Sequence, residues 1–176
     1  MVDLKEFEQK AADLRVLGMK ISIGQDTVYE KYWDEDCRRN IYSASKSFTS
    51  CAVGFAVQEG LIDLDERLMD AFKEDIPNNP DENLKKATVK DLLTMTLGQE
   101  KGFLMGKQRP RMEEQNWVKA SLAIPFVYEP GTHFVYNNVG PYLAGILVQR
   151  RAGCDLLSYL TPRLLKPLGI RKPYGR

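Results

Sequence analysis

The chain has 176 residues, enough for one domain with a sizeable core, and 43% of them are hydrophobic while 28% are charged. These proportions are ordinary for a globular protein and exclude the disordered and fibrous classes. The 25 Lys and Arg residues nearly balance the 24 Asp and Glu residues, and no block of like charge suggests a nucleic-acid arm or a membrane-binding patch. We therefore expect a small-molecule or short-peptide substrate as the partner, and no nucleic acid.

Residues 1–16 have the pattern of an amphipathic helix and lack the apolar core of a secretory signal. No run approaches the ~20 apolar residues of a membrane span. We expect a soluble cytoplasmic protein, with the cell envelope as the alternative if the sequence was trimmed. Cys37, Cys51 and Cys154 lack metal-ligand spacing, which predicts reduced, structural thiols.

A β-hairpin is predicted next, because two alternating runs flank Gly24-Gln25-Asp26. Residues 43–59 then favour a helix that ends before Gly60. Apolar groups surround this helix instead of marking one stripe, which predicts that it lies inside the protein.

The rest of the chain is predicted to be mostly helical. The predicted elements are a short helix before residue 73, a surface loop over 73–87, a helix with Thr88 and Asp91 at capping-box spacing and Gly98 as its stop, a helix in 111–124, an extended segment over 126–138 broken at Pro130-Gly131, a helix over 139–152 ending before Gly153, and a last helix broken at Pro162. An isolated hairpin is marginally stable, so this order predicts further strands outside the sequence.

The stretch "SASK" places Ser43 and Lys46 one helical turn apart, on the same helix face. An ammonium beside an apolar helix loses solvation, which lowers the pKa of the amine and lets it accept a serine proton. The spacing alone is weak, since a helix N-cap serine and a solvated lysine would look the same. The apolar surroundings favour the catalytic interpretation.

The stretch "YNN" contributes a second pair, Tyr136 and Asn138, two apart on an extended segment and therefore on one side of it. A tyrosine near an ammonium can act as a proton shuttle, and an asparagine can position an acyl amide or carbonyl. The alternative is a core tyrosine and a turn asparagine.

Taken together, these motifs resemble the serine hydrolases of the β-lactamase and penicillin-binding-protein type, in the class C-like branch that includes D-amino-acid carboxypeptidases and esterases. The resemblance is carried, in the family's order, by "SASKSFTS" followed by "GLIDLDERL", by "ATVKDLLTMTLG", by "PGTHFVYNNVGPYLAG" and by "LLKPLGI".

The resemblance implies an α+β (α/β) fold of the β-lactamase/transpeptidase type, with a helical subdomain and an antiparallel sheet represented here only by the hairpin. It implies that Ser43 is the acylated nucleophile, Lys46 its partner, Tyr136 the general base and Asn138 a substrate-amide contact. The expected activity is hydrolysis of a lactam, a D-amino-acid peptide or an ester through a Ser43 acyl-enzyme, without metal or cofactor, in a protein of bacterial origin. The alternative is a catalytically incomplete or degenerate relative that binds a peptide or a protein partner without turnover.

The sequence also departs from the family pattern. Met95 and Leu97 stand where relatives usually carry His and Ser, and the late K-T-G or H-x-G motif is absent. We therefore predict a single β-lactamase-like domain over 1–176 that is incomplete at its C-terminal end, with a helix and hairpin in 1–42 and the catalytic motifs in 43–176. Either a separate chain carrying the C-terminal segment or a second copy of this chain is expected to cover the exposed sheet edge.

Two other kinds of site are disfavoured. A Ser-His-Asp hydrolase would need a G-x-S-x-G elbow, which is absent, and His133 is the only histidine, so we expect it to be a structural or rim residue. The acidic run 34–36 lies beside Arg38 and Arg39, which predicts a solvated loop and not a cation site.

Overall fold

A computed structural model describes residues 4–35, 37–106 and 108–170, and the chain divides into two compact units between Ile41 and Tyr42. The first unit contains helix α1 (Lys5–Ala11) and the antiparallel strands β1 (Gly18–Ile23) and β2 (Asp26–Tyr32). The predicted hairpin is confirmed. Its turn includes Gly24 at a φ of 61°, a left-handed conformation that glycine adopts without steric cost.

The second unit is helical, as the sequence predicts. Its helices are α2 (Ser45–Gln58), α3 (Leu68–Ala71), α4 (Glu82–Lys86), α5 (Val89–Thr94), α6 (Trp117–Leu122), α7 (Val139–Ala152) and α8 (Leu156–Leu160). The predicted break at Pro162 corresponds to a π-helical turn, Thr161–Leu165, directly after α8. Helix α4 corrects the prediction of a loop over 73–87, since Asp81 caps it by accepting a hydrogen bond from the Leu84 N–H at 2.7 Å.

Helix α2 lines the core with one face only. Ala52, Val53 and Ala56 are buried, whereas Cys51 and Val57 are exposed, so the prediction of a helix buried on all sides is wrong. Ser, Cys and Gly occupy most of the exposed positions, and such small side chains cost little when they face water. The three cysteines are free thiols, as predicted, and all three are exposed.

Helix α5 begins with the predicted capping box. The Asp91 carboxylate accepts hydrogen bonds from the Thr88 N–H at 2.9 Å and the Thr88 hydroxyl at 2.8 Å. The helix ends at Met95, which has a φ of 58°, and not at the predicted stop Gly98. Gly98, with a φ of 90°, instead allows the backbone to pass close to the Tyr128 carbonyl, where a Cβ would overlap the oxygen.

The start of helix α7 lies directly against α5. A Cβ at Gly140 would overlap the Leu92 carbonyl oxygen. The two backbones can approach this closely because glycine has no side chain. Helix α7 also packs on α2, where Gly145 faces Thr49, and it ends at Gly153 with a φ of 67°, as predicted. The two ends of the candidate site, at α2 and before α7, are therefore joined through one packed core.

None of the helices formed by residues 4–35, 37–106 and 108–170 has both the length and the apolar character that crossing a bilayer requires.

We predict that Gly140→Ala destabilises the protein by about 1–3 kcal/mol, because the added methyl group must push α5 and α7 apart. Gly54→Ala is the matched control, since a Cβ at this position in α2 meets nothing within 4 Å. The control should stabilise by about 0.5–1 kcal/mol through lower unfolded-state entropy. Urea unfolding of both variants measures the difference, and equal effects would contradict the close approach of α5 and α7.

Candidate active site

Ser43 lies in a 3-10 turn, Tyr42–Ala44, immediately before α2. The α-helix therefore begins two residues later than predicted, and its N-cap residue is Ala44, so Ser43 is not an N-cap serine. Tyr42 precedes it with a φ of 45°, a conformation that non-glycine residues rarely adopt and that often occurs near functional sites. The half-buried Lys46 lies in the first turn of α2 and donates from Nζ to Ser43 Oγ at 3.1 Å.

Tyr136 reaches the same serine from the other side. Its hydroxyl donates to Ser43 Oγ at 2.7 Å, and Lys46 Nζ lies 5.1 Å from the centre of the Tyr136 ring. Tyr136 is 44% exposed, so it is not a core tyrosine. The hydrogen bond with Ser43, followed by the hydrogen bond and charge of Lys46, holds the pKa of Tyr136 below the ordinary tyrosine value. The structure thus brings Ser43, Lys46 and Tyr136 together.

The extended segment 126–138 holds Tyr136 in place through backbone hydrogen bonds to the chain that follows α5. The N–H groups of Tyr128, Gly131 and Val135 donate to carbonyls of residues 95–98 at 2.9, 2.9 and 3.0 Å. The Asn138 N–H donates to the Phe103 carbonyl at 3.2 Å. These bonds fix the segment on both sides of Tyr136.

Asn137 is a supporting residue that the sequence analysis did not single out. It is 1% exposed, its side-chain N–H donates to the Val135 carbonyl at 3.1 Å, and its Oδ1 accepts from the Gly140 N–H at 3.1 Å. The side chain therefore ties the segment 126–138 to the first turn of α7. The signal in the sequence was an asparagine pair directly before a helix, which is typical of a cap.

Asn138 contacts the loop before α6 and not Ser43. Its Nδ2 donates to the Leu104 carbonyl at 3.0 Å and lies 3.5 Å from Met105 Sδ. Its backbone forms the N-cap position of α7. The predicted role as a substrate-amide contact stays a prediction.

The residues that sequence analysis placed outside the site have other contacts. His133 is exposed and stacks on the Tyr128 ring with 4.2 Å between centroids. Asp34 pairs with Arg39 at 2.6 Å, while Asp36 lies outside the described residues. In the part of the chain that the structure describes, no group of three or more His, Cys, Asp or Glu side chains could hold a metal ion.

The chain is similar in sequence to a fungal acyltransferase and a fungal esterase. The chain is 31% identical over 157 residues to monacolin J acid methylbutanoyltransferase of Aspergillus terreus. The matched region is 78% of this chain and 37% of that enzyme. The chain is also 31% identical over 150 residues to lovastatin esterase of Penicillium rubens, covering 73% and 37%. Both relatives are fungal, so they do not support the expected bacterial origin.

A solved structure has the same fold. The octameric penicillin-binding protein homologue from Pyrococcus abyssi is 25% identical and superimposes with a TM-score of 0.72, over 98% of this chain and 44% of that one. The chain thus spans 37% of the length of each fungal relative and 44% of the length of this structure's chain.

The family model described as Beta-lactamase matches residues 5–175, nearly the whole sequence. The match contains "SASK" and "YNN", the two stretches whose side chains meet at Ser43. The chain belongs to the beta-lactamase family.

Proposed function

We propose that this chain carries the nucleophile, its lysine partner and the general base of a serine enzyme that works through an acyl-enzyme. The observation that supports this proposal is the convergence of Tyr136 Oη and Lys46 Nζ on Ser43 Oγ, at 2.7 and 3.1 Å. These distances lie within the range in which a base exchanges a proton with a nucleophile. Residues 1–176 are assigned to one β-lactamase-like domain.

Acylation begins with the phenolate form of Tyr136. When Tyr136 is a phenolate, the hydrogen bond is reversed and the Ser43 hydroxyl is the donor. The Ser43 hydroxyl gives its proton to Tyr136 Oη while Oγ forms a bond to the acyl carbonyl carbon. The protonated tyrosine then gives the proton to the leaving group as its bond to the carbonyl carbon breaks. The Lys46 ammonium stabilises the Tyr136 phenolate before the proton transfer, and it stabilises the negative charge that the reacting oxygens carry during the transfer.

Deacylation uses the same groups in reverse order. Tyr136 accepts a proton from water, the hydroxyl attacks the acyl carbonyl, and Ser43 leaves with the proton returned by tyrosine. An ester substrate is supported by the similarity to an esterase and to a transferase of an acyl group. A lactam or a D-amino-acid peptide would use the same steps, and Asn138 is proposed to act on the bound acyl group through the loop at Met105 that its amide holds.

Transfer to an alcohol is the second candidate, favoured by the identity of 31% to a methylbutanoyltransferase. The chemistry differs only in the acceptor, since an alcohol replaces water in the attack on the acyl-enzyme. No cofactor or metal takes part in either scheme. Binding of a peptide or a protein without turnover is the outcome if no acyl-enzyme forms.

We expect Ser43→Ala to abolish labelling by a fluorophosphonate probe and all ester cleavage. Lys46→Ala and Tyr136→Phe should each slow acylation by roughly 100-fold or more, because the proton acceptor is lost or weakened, while circular dichroism shows a retained fold. Ser45→Ala, at the first residue of α2, is the control and should react like the unmodified protein. Intact-mass spectra measure the adduct, and acylation at the unmodified rate in the Lys46 or Tyr136 variant would exclude that residue's role.

We also expect the pKa of Tyr136 to rise in both Ser43→Ala and Lys46→Ala, because each change removes a hydrogen bond that lowers it. Ultraviolet difference titration of the phenolate isolates this group when the Tyr136→Phe counterpart of each protein is subtracted. Acylation needs the phenolate, so its rate in the unmodified protein should rise with pH, with a midpoint below the ordinary tyrosine pKa. Lys119→Ala, an exposed lysine of α6, should leave the pKa unchanged. An unchanged pKa in both test variants would contradict the assigned contacts.

Partitioning distinguishes water from an alcohol as the acceptor. With n-propanol present, esters of one acid with different leaving groups should give the same ratio of propyl ester to free acid, because all pass through one acyl-enzyme. If more propyl ester than free acid forms, the activity is assigned as transfer. If more free acid forms, the activity is assigned as hydrolysis. A ratio that changes with the leaving group would contradict a common Ser43 intermediate.

A further inference from the structure

The loop Gly102–Gly106 passes directly beside the segment 126–138, and Asn138 joins the loop to this segment. The Asn138 amide has two N–H hydrogens: one bonds to the Leu104 carbonyl at 3.0 Å and the other faces Met105 Sδ at 3.5 Å. Because Leu104 offers only an acceptor, the amide must present its nitrogen to the loop. Both donors of Asn138 are therefore engaged within the protein.

The loop is held in this position by its own backbone. Leu104 is 2% exposed with a φ of 55°, and a Cβ at Gly102 would lie 2.7 Å from the Tyr136 carbonyl oxygen. Gln108 holds Met105 on both sides: its Oε1 accepts from the Met105 N–H at 2.9 Å, and its N–H donates to the Met105 carbonyl at 2.8 Å. Met105 is thus fixed next to Asn138.

The Met105 side chain gives this part of the site an apolar surface. It is 36% exposed, and its Cγ and Sδ lie within contact distance of the position of a Gly102 Cβ. Phe134, two residues before Tyr136 in sequence, is 69% exposed. A thioether is therefore exposed beside the segment that carries the proposed general base.

We propose that Met105 determines specificity for the acyl group and selects an unsubstituted aliphatic chain over one that carries an amide. This inference rests on the proposed acyl-enzyme function and adds its substrate class. An amide carbonyl beside Met105 meets a weak sulfur acceptor and an asparagine whose donors are already bonded, so it loses its hydrogen bond to water without replacement. An aliphatic chain in the same place loses no hydrogen bond and gains contact with the thioether.

Two p-nitrophenyl esters of equal acyl size test the proposal. The isocaproyl ester has methylene and methyl groups where the N-acetylglycyl ester has the amide N–H and the carbonyl oxygen, so the pair differs only in polarity. The ratio of their kcat/KM values is measured for the protein and for Met105→Gln, with Ser43→Ala as the blank for spontaneous hydrolysis. Met105→Leu is the matched control, because it keeps the apolar surface without the sulfur.

The protein should favour the isocaproyl ester, and Met105→Gln should shift the ratio toward the N-acetylglycyl ester by about tenfold, the worth of one hydrogen bond. A glutamine accepts from Asn138 in place of the sulfur and offers its own N–H to the acyl amide. Met105→Leu should leave the ratio within about twofold of the original. A general loss of structure would lower both rates and would not move the ratio.

The two possible failures are distinguishable. If Ser43 adducts form with both esters and Met105→Gln leaves their ratio unchanged, the specificity role of Met105 is overturned while the proposed function stands. If intact mass shows no Ser43 adduct with either ester or with a fluorophosphonate, the proposed function is overturned and the specificity inference with it.

Discussion

The candidate active site depends on two hydrogen bonds to one oxygen atom, Ser43 Oγ. Lys46 belongs to the same helix turn as the serine, so its contact at 3.1 Å follows from local geometry. Tyr136 is 93 residues away in sequence, and its contact at 2.7 Å exists only if the whole second unit places its segment correctly. The proposed proton exchange at Ser43 requires both contacts.

The packing that places Tyr136 is correspondingly close. Gly140 brings α7 against the Leu92 carbonyl, and the buried Asn137 links the first turn of α7 to the segment 126–138. Gly98 lets the same segment run along the chain after α5. Because interiors are packed without spare volume, a displacement at any of these contacts is transmitted to the tyrosine hydroxyl. The same packing fixes the loop that places Met105 beside Asn138. The proposed proton transfer and the proposed acyl selection therefore depend on the same contacts.

The sequence predicted those features that depend on local rules. The hairpin turn at Gly24, the capping box of Thr88 and Asp91, and the end of α7 at Gly153 each follow from the residues within one turn. The spacing of Ser43 and Lys46 and the pairing of Tyr136 with Asn138 likewise indicated candidate residues, and the structure brings the first three together.

Features that depend on tertiary contacts were not predictable in this way. The exposed face of α2, the helix end at Met95 and the buried cap of Asn137 depend on which backbone passes nearby, which local patterns do not record. The contacts of Asn138 were likewise not predictable, since the fold directs both N–H groups of its amide to the loop at Leu104 and Met105.

The most direct test is a crystal structure of the protein after reaction with a boronate, whose tetrahedral adduct resembles the state in which Ser43 attacks a carbonyl. The account predicts continuous density from Ser43 Oγ to boron, with Tyr136 Oη and Lys46 Nζ within hydrogen-bonding distance of that oxygen. Boron bonded to another residue, or a well-ordered site in which either group lies beyond hydrogen-bonding distance of Ser43 Oγ, would contradict it.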